Sequence, residues 1–530
     1  MAFHIAAIFS VMGCSLVTAE STEAPAPTTV EVALPGSVSG RPISPAVARG
    51  WAEWLTINGF AFDRCGFAPA EGTLVVELSD QAQLDQLTRQ GFTVVRTLRQ
   101  GAADRAVLTD PQYFDPDEID AMLDQAVADH PLIARKFTIG STFEDRPIYA
   151  IEISNQPAAP EDEPAIQFNG QHHAREVATS HIVMNVIETL TDGYGFDPDV
   201  TAWVDNYTTV CIPLVNPDGV QHVFDVDVLW RKNRRDYGGV CVGVDLNRNY
   251  PYRWGPDACG FTSGCSGDTY KGPSAASELE TQALIALAAE YRFVMATSYH
   301  SYGRFIDYPY ACSNGSAAGI MPEHLVIHEM MNGAADAIDA VDGVPRYAVF
   351  SPASAGPLSG DDTSWYYAHL GTYSFIIEVG TSFEPPFGEV AGIVDRNRGG
   401  WEYLYQRLGQ ARIDVHVTHA CSGEPLEAEV TLTDFSFDTG ELPRRTFLPF
   451  GRWTFVVAPN QSYTLRVSEP GYQTQDVPVN VGNAPTPVNV ALLPAEGCDG
   501  VPVPAPNEPG LILSSLFTLA AGIAVLKRVA

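Results

Sequence analysis

Positively charged side chains are scarce in this chain. Lysine and arginine together account for 31 of its 530 residues, against 64 aspartates and glutamates, and the formal net charge is −33. Lysine itself occurs only four times. A strongly acidic surface repels phosphate backbones and anionic lipid head groups. The composition therefore argues against nucleic acids and anionic membrane surfaces as partners.

Closely spaced cysteine pairs are also absent. The nine cysteines are spread along the chain, whereas a cysteine-rich zinc site needs pairs at short spacings. Dispersed cysteines are typical of an exported protein with a few disulfides. Because nine is an odd number, at least one thiol stays unpaired. The candidates are Cys14 near the N-terminus and Cys211 in an apolar run.

The chain does contain the ligand types of a catalytic zinc ion. His173 and Glu176 stand in the run Gln-His-His-Ala-Arg-Glu, and His300 stands in Ser-Tyr-His-Ser-Tyr. Two neutral imidazoles and one carboxylate leave the fourth tetrahedral position open, as catalytic zinc sites do. A His-x-x-acid pair alone carries little weight, since about one is expected by chance in such a composition. Its place after a strand pattern strengthens it, because open α/β sheets carry their sites at the carboxyl ends of strands.

Six ordered segments resemble the zinc metallocarboxypeptidases, the family of pancreatic carboxypeptidases A and B and of bacterial carboxypeptidase T. They cover roughly residues 113–410 and are 171–176, 213–219, 230–232, 243–249, 298–302 with 308–310, and 373–378. The resemblance implies a peptidase that removes the C-terminal residue of peptides or proteins. It also implies one Zn²⁺ ion bound by His173, Glu176 and His300.

The resemblance assigns further roles to residues around the metal. Glu378 would take the proton of the attacking water and return it to the leaving amine, and Arg231 would stabilise the oxyanion. Asn247 and Arg248 would bind the terminal carboxylate of the substrate, since a guanidinium grips a carboxylate in a bidentate fork. That clamp would make the reaction an exopeptidase cut. Arg175 would assist along the substrate path.

The loop 360–365 matches the segment that forms the floor of the pocket for the substrate's terminal side chain in the family. Its residues therefore bear on specificity. Asp361 and Thr363 are similar to the pattern of carboxypeptidase T, which accepts both apolar and basic terminal residues. The resemblance therefore implies broad specificity. The alternative is that Asp361 and Asp362 are solvated turn residues.

One position departs from the family pattern. Members usually carry a mobile tyrosine, which covers bound substrate, nine residues before the tryptophan that matches Trp365; here that position is Gly356. Tyr347 and Phe350 are the alternatives from the same stretch of chain. The departure bears on substrate affinity and rate rather than on the metal chemistry.

The chain ends predict export and sorting. Residues 1–19 have the apolar run and small-residue ending of a signal peptide, with a lipoprotein box at 11–14 as the alternative. Residues 494–510 form a Pro-rich linker, and 511–530 form an apolar run closed by two basic residues. This tail resembles a PEP-CTERM signal, which a membrane sorting peptidase recognises and removes; the alternative is a short membrane anchor. The expected location is secreted or at the cell surface.

Three folded regions are expected between these ends. Residues 20–110 show a strand–helix–strand pattern typical of a small α/β pro-region, which in the family blocks the cleft until it is cut. Residues 111–410 form the catalytic domain, with the fold class α/β: a mixed β-sheet flanked by helices on both faces. Residues 411–493 alternate apolar and polar residues and resemble a transthyretin-like β-sandwich, interpreted as a stability or attachment module.

The resemblance implies one disulfide, and the positions of two further cysteines suggest a second. Cys241 and Cys265 match a paired cysteine loop of the pancreatic enzymes. Cys421 and Cys498, near the two ends of the sandwich, are a possible second bridge.

The preferred function is a secreted or surface-displayed zinc carboxypeptidase with broad terminal-residue specificity. One alternative is a catalytically impaired binding protein on a peptidase scaffold, which Gly356 would favour. The other is a related zinc amide hydrolase that acts on cell-wall peptides. The combination of Glu378 and Arg231 with the metal ligands favours the enzyme, and Asn247 with Arg248 favours substrates with a free α-carboxylate.

Overall fold

A computed structural model describes residues 28–37, 47, 50–51, 54–55, 57–68, 72–100, 110–239, 241–255, 262–310, 322–344, 347–350, 359–437 and 440–498. Within these ranges the chain forms three regions, each with its own hydrophobic core. The predicted signal peptide, residues 499–510 of the Pro-rich linker and the tail lie outside the described residues.

The N-terminal region contains an antiparallel sheet and a helix that joins two of its strands. Its strands are β1 (Thr28–Ala33), β2 (Ala61–Ala68), β3 (Thr73–Leu78) and β4 (Thr93–Gln100), in the order β2-β3-β1-β4. Helix α1 (Gln81–Arg89) joins β3 to β4 and begins at Asp80, whose side chain accepts a hydrogen bond from the Gln83 amide. The predicted strand–helix–strand pattern is therefore present, and two further strands complete the sheet.

The central region contains an eight-stranded mixed sheet, which confirms the predicted fold class. Its strands are β5 (Ala134–Ser141), β6 (Pro147–Ile153), β7 (Ala165–Gly170), β8 (Thr208–Ile212), β9 (Met295–Ser301), β10 (Phe305–Asp307), β11 (Ala348–Phe350) and β12 (Tyr373–Val379), in the order β11-β10-β12-β9-β7-β8-β6-β5. The four middle strands are parallel. Every residue of these four is buried, so both faces of the sheet are covered.

The helices of this region are α2 (Pro116–Asp129), α3 (Ala178–Gly193), α4 (Pro198–Asn206), α5 (Pro217–Asp225), α6 (Leu279–Tyr291), α7 (His324–Ala340), the short α8 (Asp362–Trp365) and α9 (Phe387–Leu408). Helix α2 begins as the sequence predicts. Asp115 and Glu118 form a capping box, with Pro116 in the first turn.

The C-terminal region is a β-sandwich of two three-stranded sheets. Strands β13 (Arg412–His419), β15 (Arg452–Val456) and β18 (Thr486–Leu492) form one sheet, and β14 (Glu429–Leu432), β16 (Gln461–Ser468) and β17 (Gln475–Val481) form the other. Burial alternates along β13 and β17, as expected for strands with one face in the core.

Both disulfides expected from the sequence are present. Disulfides join Cys241 to Cys265 and Cys421 to Cys498, and Cys211 is a buried free thiol. None of the helices in the described ranges has the length and hydropathy needed to cross a bilayer.

The buried imidazole of His181, in α3, predicts acid sensitivity of this fold. Its ring stacks on Phe114 at 4.0 Å between centroids, with Tyr113 and Phe387 at its edges. Burial lowers the pKa of His181 to about 4. Below about pH 6.5 the His181 side chain binds a proton in the unfolded chain, whereas in the folded chain it stays neutral down to a pH of about 4. The folded state therefore loses stability relative to the unfolded state as the pH falls from about 6.5 towards 4.

We predict that His181→Leu reduces the drop in unfolding free energy between pH 7 and pH 5 by roughly 2 kcal/mol. Calorimetric or denaturant unfolding at the two pH values measures this difference. The control is His324→Leu, at a half-buried histidine that begins α7. An equal pH dependence in wild type and His181→Leu would contradict the prediction.

Candidate active site

The three predicted metal ligands meet in a fully buried cluster. His173 and Glu176 lie in the loop that follows β7, and His300 lies in β9. Because β7 and β9 are neighbouring parallel strands, residues 127 positions apart in the chain come together. Glu176 Oε1 is 2.7 Å from Nδ1 of His173, Glu176 Oε2 is 3.0 Å from Nδ1 of His300, and the two Nδ1 atoms are 3.0 Å apart.

This donor set fits a zinc ion. Two ring nitrogens and a carboxylate point at a common centre, and their ligand atoms all lie within 4.8 Å of one another. Burial, and then Arg231, hold the pKa of His173 well below its usual range, which favours the neutral imidazole that binds metal. Burial raises the pKa of Glu176, but His173 and His300 outweigh it and lower that pKa to about 2, so the carboxylate is ionised.

Asp245 contacts both His173 and Arg231. Its Oδ1 atom lies 3.1 Å from Nε2 of His173, and its Oδ2 atom accepts hydrogen bonds from Nε and Nη2 of Arg231 at 3.1 and 2.9 Å. A carboxylate bonded to Nε2–H leaves the Nδ1 lone pair free for a metal. Asp245 is not among the site residues predicted from the sequence. The available signal was an acid between the apolar residues Val244 and Leu246 in a segment that resembles the family.

Glu378 lies beside the cluster because of strand register. Strands β9 and β12 are parallel neighbours, and Glu378 pairs with His300 across them, so both side chains leave the same face of the sheet. The Glu378 side chain is buried, at 2% exposure. Burial lowers the pKa of His300, but Glu176 and then Glu378 raise it overall, which places the Glu378 charge close to the ring.

Cationic and amide groups lie on one side of the cluster. Arg231 is fully buried, with Nη1 3.7 Å from Glu176 Oε1, and its carbonyl oxygen accepts a hydrogen bond from the amide of Ala174 in the ligand loop. Asn247 and Arg248 belong to a 3₁₀ turn directly after Asp245. The Asn247 Nδ2 atom is 3.4 Å from Nε2 of His300. Among the described residues, Nε of Arg248 has no hydrogen-bond partner.

This arrangement agrees with the comparisons with known proteins. A family model described as zinc carboxypeptidase matches residues 119–397, more than half of the chain. The chain belongs to the zinc carboxypeptidase family. Carboxypeptidase A1 of Rattus norvegicus is 31% identical over 282 residues, which cover 52% of this chain and 65% of that protein. Carboxypeptidase A1 of Bos taurus is 31% identical over 269 residues, which cover 50% of this chain and 62% of that protein.

The chain thus spans slightly less than two thirds of the length of these curated relatives. Among solved structures, carboxypeptidase A from Helicoverpa armigera aligns with a TM-score of 0.56 and 21% identity, covering 72% of this chain and 96% of that one. At this identity the match concerns the fold alone, and it supports the carboxypeptidase-like sheet and helices described above.

The loop 360–365, which the resemblance assigns to the side-chain pocket, is buried. Asp361 caps helix α8, where its Oδ1 atom accepts hydrogen bonds from the Ser364 amide and the Thr363 hydroxyl, both at 2.8 Å. Asp361 and Asp362 are 1% and 2% exposed, so the alternative of solvated turn residues is wrong. Burial raises the pKa of Asp362 to about 6. The Asp362 amide donates to Asn247 Oδ1 at 2.8 Å, which joins the pocket loop to the turn that carries Arg248.

The two suggested substitutes for the missing tyrosine are held in the fold. Gly356 itself lies outside the described residues. Phe350, in the edge strand β11, is 1% exposed and packs edge-on against Phe305. The Tyr347 hydroxyl accepts a hydrogen bond from Asn397 of α9 at 3.3 Å. Neither side chain has the freedom of a mobile cover over bound substrate.

Arg175 is linked to the N-terminal region through Asp268 and Phe383. Arg175 forms an ion pair with Asp268 at 2.8 Å, and its guanidinium lies 4.2 Å from the ring centroid of Phe383. The Asp268 amide donates to Glu77 Oε1, in β3, at 3.1 Å. Val75 of the same strand is buried in a small cluster with Phe383 and with Tyr302, two residues beyond His300.

Asp245 gives a prediction about metal affinity. Replacing it by Asn removes the charge that fixes the His173 tautomer and that pairs with Arg231. We therefore expect Asp245→Asn to weaken zinc binding by roughly 10- to 100-fold. Competition with a chelating dye measures the affinity, and Asp268→Asn, which removes a charge paired with Arg175 instead, is the control. Wild-type zinc affinity in Asp245→Asn would count against the role of this carboxylate.

Proposed function

We propose that this protein is a zinc-dependent carboxypeptidase that hydrolyses the C-terminal peptide bond of peptides. The observation that carries the proposal is the convergence of the Nδ1 atoms of His173 and His300 on Glu176, with Glu378 on the adjacent strand. A structural zinc site would have no use for a further buried acid and a buried guanidinium beside its ligands.

Each residue around the metal site is assigned a separate role in hydrolysis. A Zn²⁺ ion held by His173, Glu176 and His300 would act as a Lewis acid and would lower the pKa of a water molecule bound to it to roughly 7. Glu378 accepts the proton of the attacking water and delivers it to the leaving amine. Arg231, fixed by Asp245, donates hydrogen bonds to the oxyanion that develops on the scissile carbonyl. Its guanidinium stays charged at any working pH.

Recognition of a chain end follows from Asn247 and Arg248. The turn that holds them lies next to the predicted metal ligands. The Nε–H group of Arg248 has no hydrogen-bond partner among the described residues, so it is available as a donor. A guanidinium there binds the terminal carboxylate and sets the distance from the chain end to the scissile bond. The reaction is therefore an exopeptidase cut.

Broad terminal-residue specificity is part of the proposal. The Oδ2 atom of Asp361 is buried and has no hydrogen-bond partner among the described residues, so it can accept a cationic terminal side chain. Thr363 offers a methyl group as well as its hydroxyl, and its hydroxyl is bonded to Asp361. Such a pocket accepts apolar side chains too. Arg175 is proposed to lie along the path of the remaining peptide.

We propose that the N-terminal region (residues 20–110) is a pro-region that restricts this cleft. Strand β3 places Val75 against Tyr302 and Phe383 and places Glu77 against Asp268, the partner of Arg175. These contacts cover the margin where Arg175 would meet substrate.

We also propose export to the cell exterior or surface. The support is the pair of disulfides, a feature of oxidising compartments. The transthyretin-like nature of residues 411–493 and recognition of the tail by a sorting peptidase are further proposals, which rest on the sequence patterns given above.

A peptidase assay tests the main proposal. We expect metal-dependent release of the last residue from blocked dipeptides ending in Phe, Leu, Arg or Lys, and loss of release after chelation. Glu378→Gln keeps the side-chain shape but removes the base, so kcat should fall by roughly 10²- to 10⁴-fold. Glu389→Gln, at an exposed position on α9, is the control. Undiminished turnover after chelation would reject the metal chemistry, and release of internal fragments would reject the exopeptidase assignment.

Cleavage of the chain tests the pro-region. We expect a protease site inserted between residues 100 and 110 to raise kcat/KM several-fold once it is cut and the N-terminal fragment has dissociated. The uncut protein in the same buffer is the control, and size-exclusion chromatography establishes dissociation. Equal kcat/KM before and after complete dissociation would contradict a blocking role.

A further inference from the structure

The C-terminal sandwich packs on the part of the chain that carries both the pocket residues and the proposed base. This part, which we call the pocket segment, comprises residues 361–378. It runs from Asp361 through helical turns to Glu378 in β12. The sandwich meets it with residues 441–444 and with strand β15.

Backbone groups of the pocket segment are bonded to the sandwich. The Ala368 carbonyl accepts hydrogen bonds from the Leu442 amide at 2.8 Å and from Nη1 of Arg444 at 3.4 Å. The Tyr373 hydroxyl bonds to both the carbonyl and the amide of Val456, at 3.0 and 3.1 Å. Arg444 is only 3% exposed. The sandwich therefore closes the outer side of this segment.

At Gly371 the pocket segment lies close against side chains of the sandwich. Its φ of 69° is a conformation that favours glycine, and an added Cβ atom would lie 2.7 Å from Trp453 and 2.8 Å from Arg444. A larger residue would force the two regions apart. The contact between them is thus built into the choice of residue at this position.

Tyr310 connects the sandwich directly to the pocket loop. Its hydroxyl donates to Glu441 Oε1 at 2.8 Å, its ring stacks on Tyr252 at 5.1 Å, and its amide donates to Ser364 Oγ at 3.1 Å. Ser364 is the neighbour of the pocket residue Thr363. Tyr310 has a φ of 72°, which is unfavourable for a bulky side chain and persists only where the surroundings enforce it.

We propose that Glu441 of the sandwich is a positioning residue for the side-chain pocket, which it holds in shape through Tyr310 and the loop Thr363–Ser364. This inference rests on the proposed carboxypeptidase function, which assigns the pocket to Asp361 and Thr363. The sandwich is then part of the catalytic unit rather than an independent attachment module.

Kinetics of the full-length zinc-loaded protein test the proposal. Glu441→Ala and Tyr310→Phe each remove the hydroxyl–carboxylate bond, and KM for peptides ending in Phe or Arg should rise roughly three- to tenfold. The value of kcat should stay within about twofold, because the pocket contacts substrate and transition state alike. Peptides ending in Gly leave the pocket empty and should show an unchanged KM.

Two further variants serve as a rescue and as a control. Glu441→Gln keeps an acceptor oxygen and should restore most of the wild-type KM. Glu424→Ala, at an exposed position of the same sandwich, should behave as wild type. A KM increase that is equal for Gly-ended and Phe-ended peptides would show a general structural role and overturn the proposal.

Hydrogen exchange gives a readout that needs no activity. Backbone amides of residues 362–372 should exchange several-fold faster in Glu441→Ala and in Tyr310→Phe, with no additional increase in the double variant. If the wild type hydrolyses no peptide while this acceleration occurs, the proposed function fails and the positioning role stands. If the wild type is active while KM and exchange are unchanged in the variants, the positioning role is wrong and the function stands.

Discussion

The site depends on one buried carboxylate that serves two partners. Asp245 accepts hydrogen bonds from the guanidinium of Arg231 and lies in contact with the ring of His173, and all three side chains are fully buried. Burial raises the pKa of Asp245, but Arg231 and then Arg248 lower it overall, so the carboxylate remains ionised. Removing it would break the buried ion pair with Arg231 and take away two hydrogen bonds of that guanidinium. The loss of one partner of a buried ion pair typically costs roughly 3–5 kcal/mol. The orientations of His173, the proposed metal ligand, and of Arg231, the proposed oxyanion donor, are therefore coupled.

Strand register supplies the other constraint. His300 and Glu378 stand opposite each other on β9 and β12, and the loop with His173 and Glu176 follows the next strand, β7. Side chains alternate between the two faces of a strand, so a slip of one residue in β12 would move Glu378 to the far side of the sheet. The fully buried middle strands resist such a slip, because it would exchange every packed side chain at once.

The helix start at Asp115 is recognisable from residue type and local pattern alone. The ligands His173, Glu176 and His300 were predicted through the ordered segments that resemble the family. The role of Glu378 was predicted in the same way. Local sequence pattern does not reveal burial that results from contacts between residues far apart in the chain. The turn-forming residues Asp361 and Asp362 predict backbone geometry equally well in solvent or in the interior. Burial of Phe350 likewise depends on pairing with β10, more than 40 residues earlier in the chain.

Asp245 and Glu441 were missed for a related reason, since each acts through partners that only the fold brings near. The role of Asp245 follows from its position between His173 and Arg231. The role proposed for Glu441 follows from the packing of a separate region on the catalytic one.

Charge balance links these features to the metal. Buried acids close to the ligand cluster include Glu176, Asp245, Asp362 and Glu378, and the buried guanidiniums facing them include Arg231 and Arg248. In a water-excluded site, an excess of negative charge is costly unless a cation or a proton compensates it. Burial is the main cause of the raised pKa of Asp362, and the negative charge of Asp361 adds to it. A divalent ion held by His173, Glu176 and His300 would supply the missing positive charge, so metal binding and the stability of this interior reinforce each other.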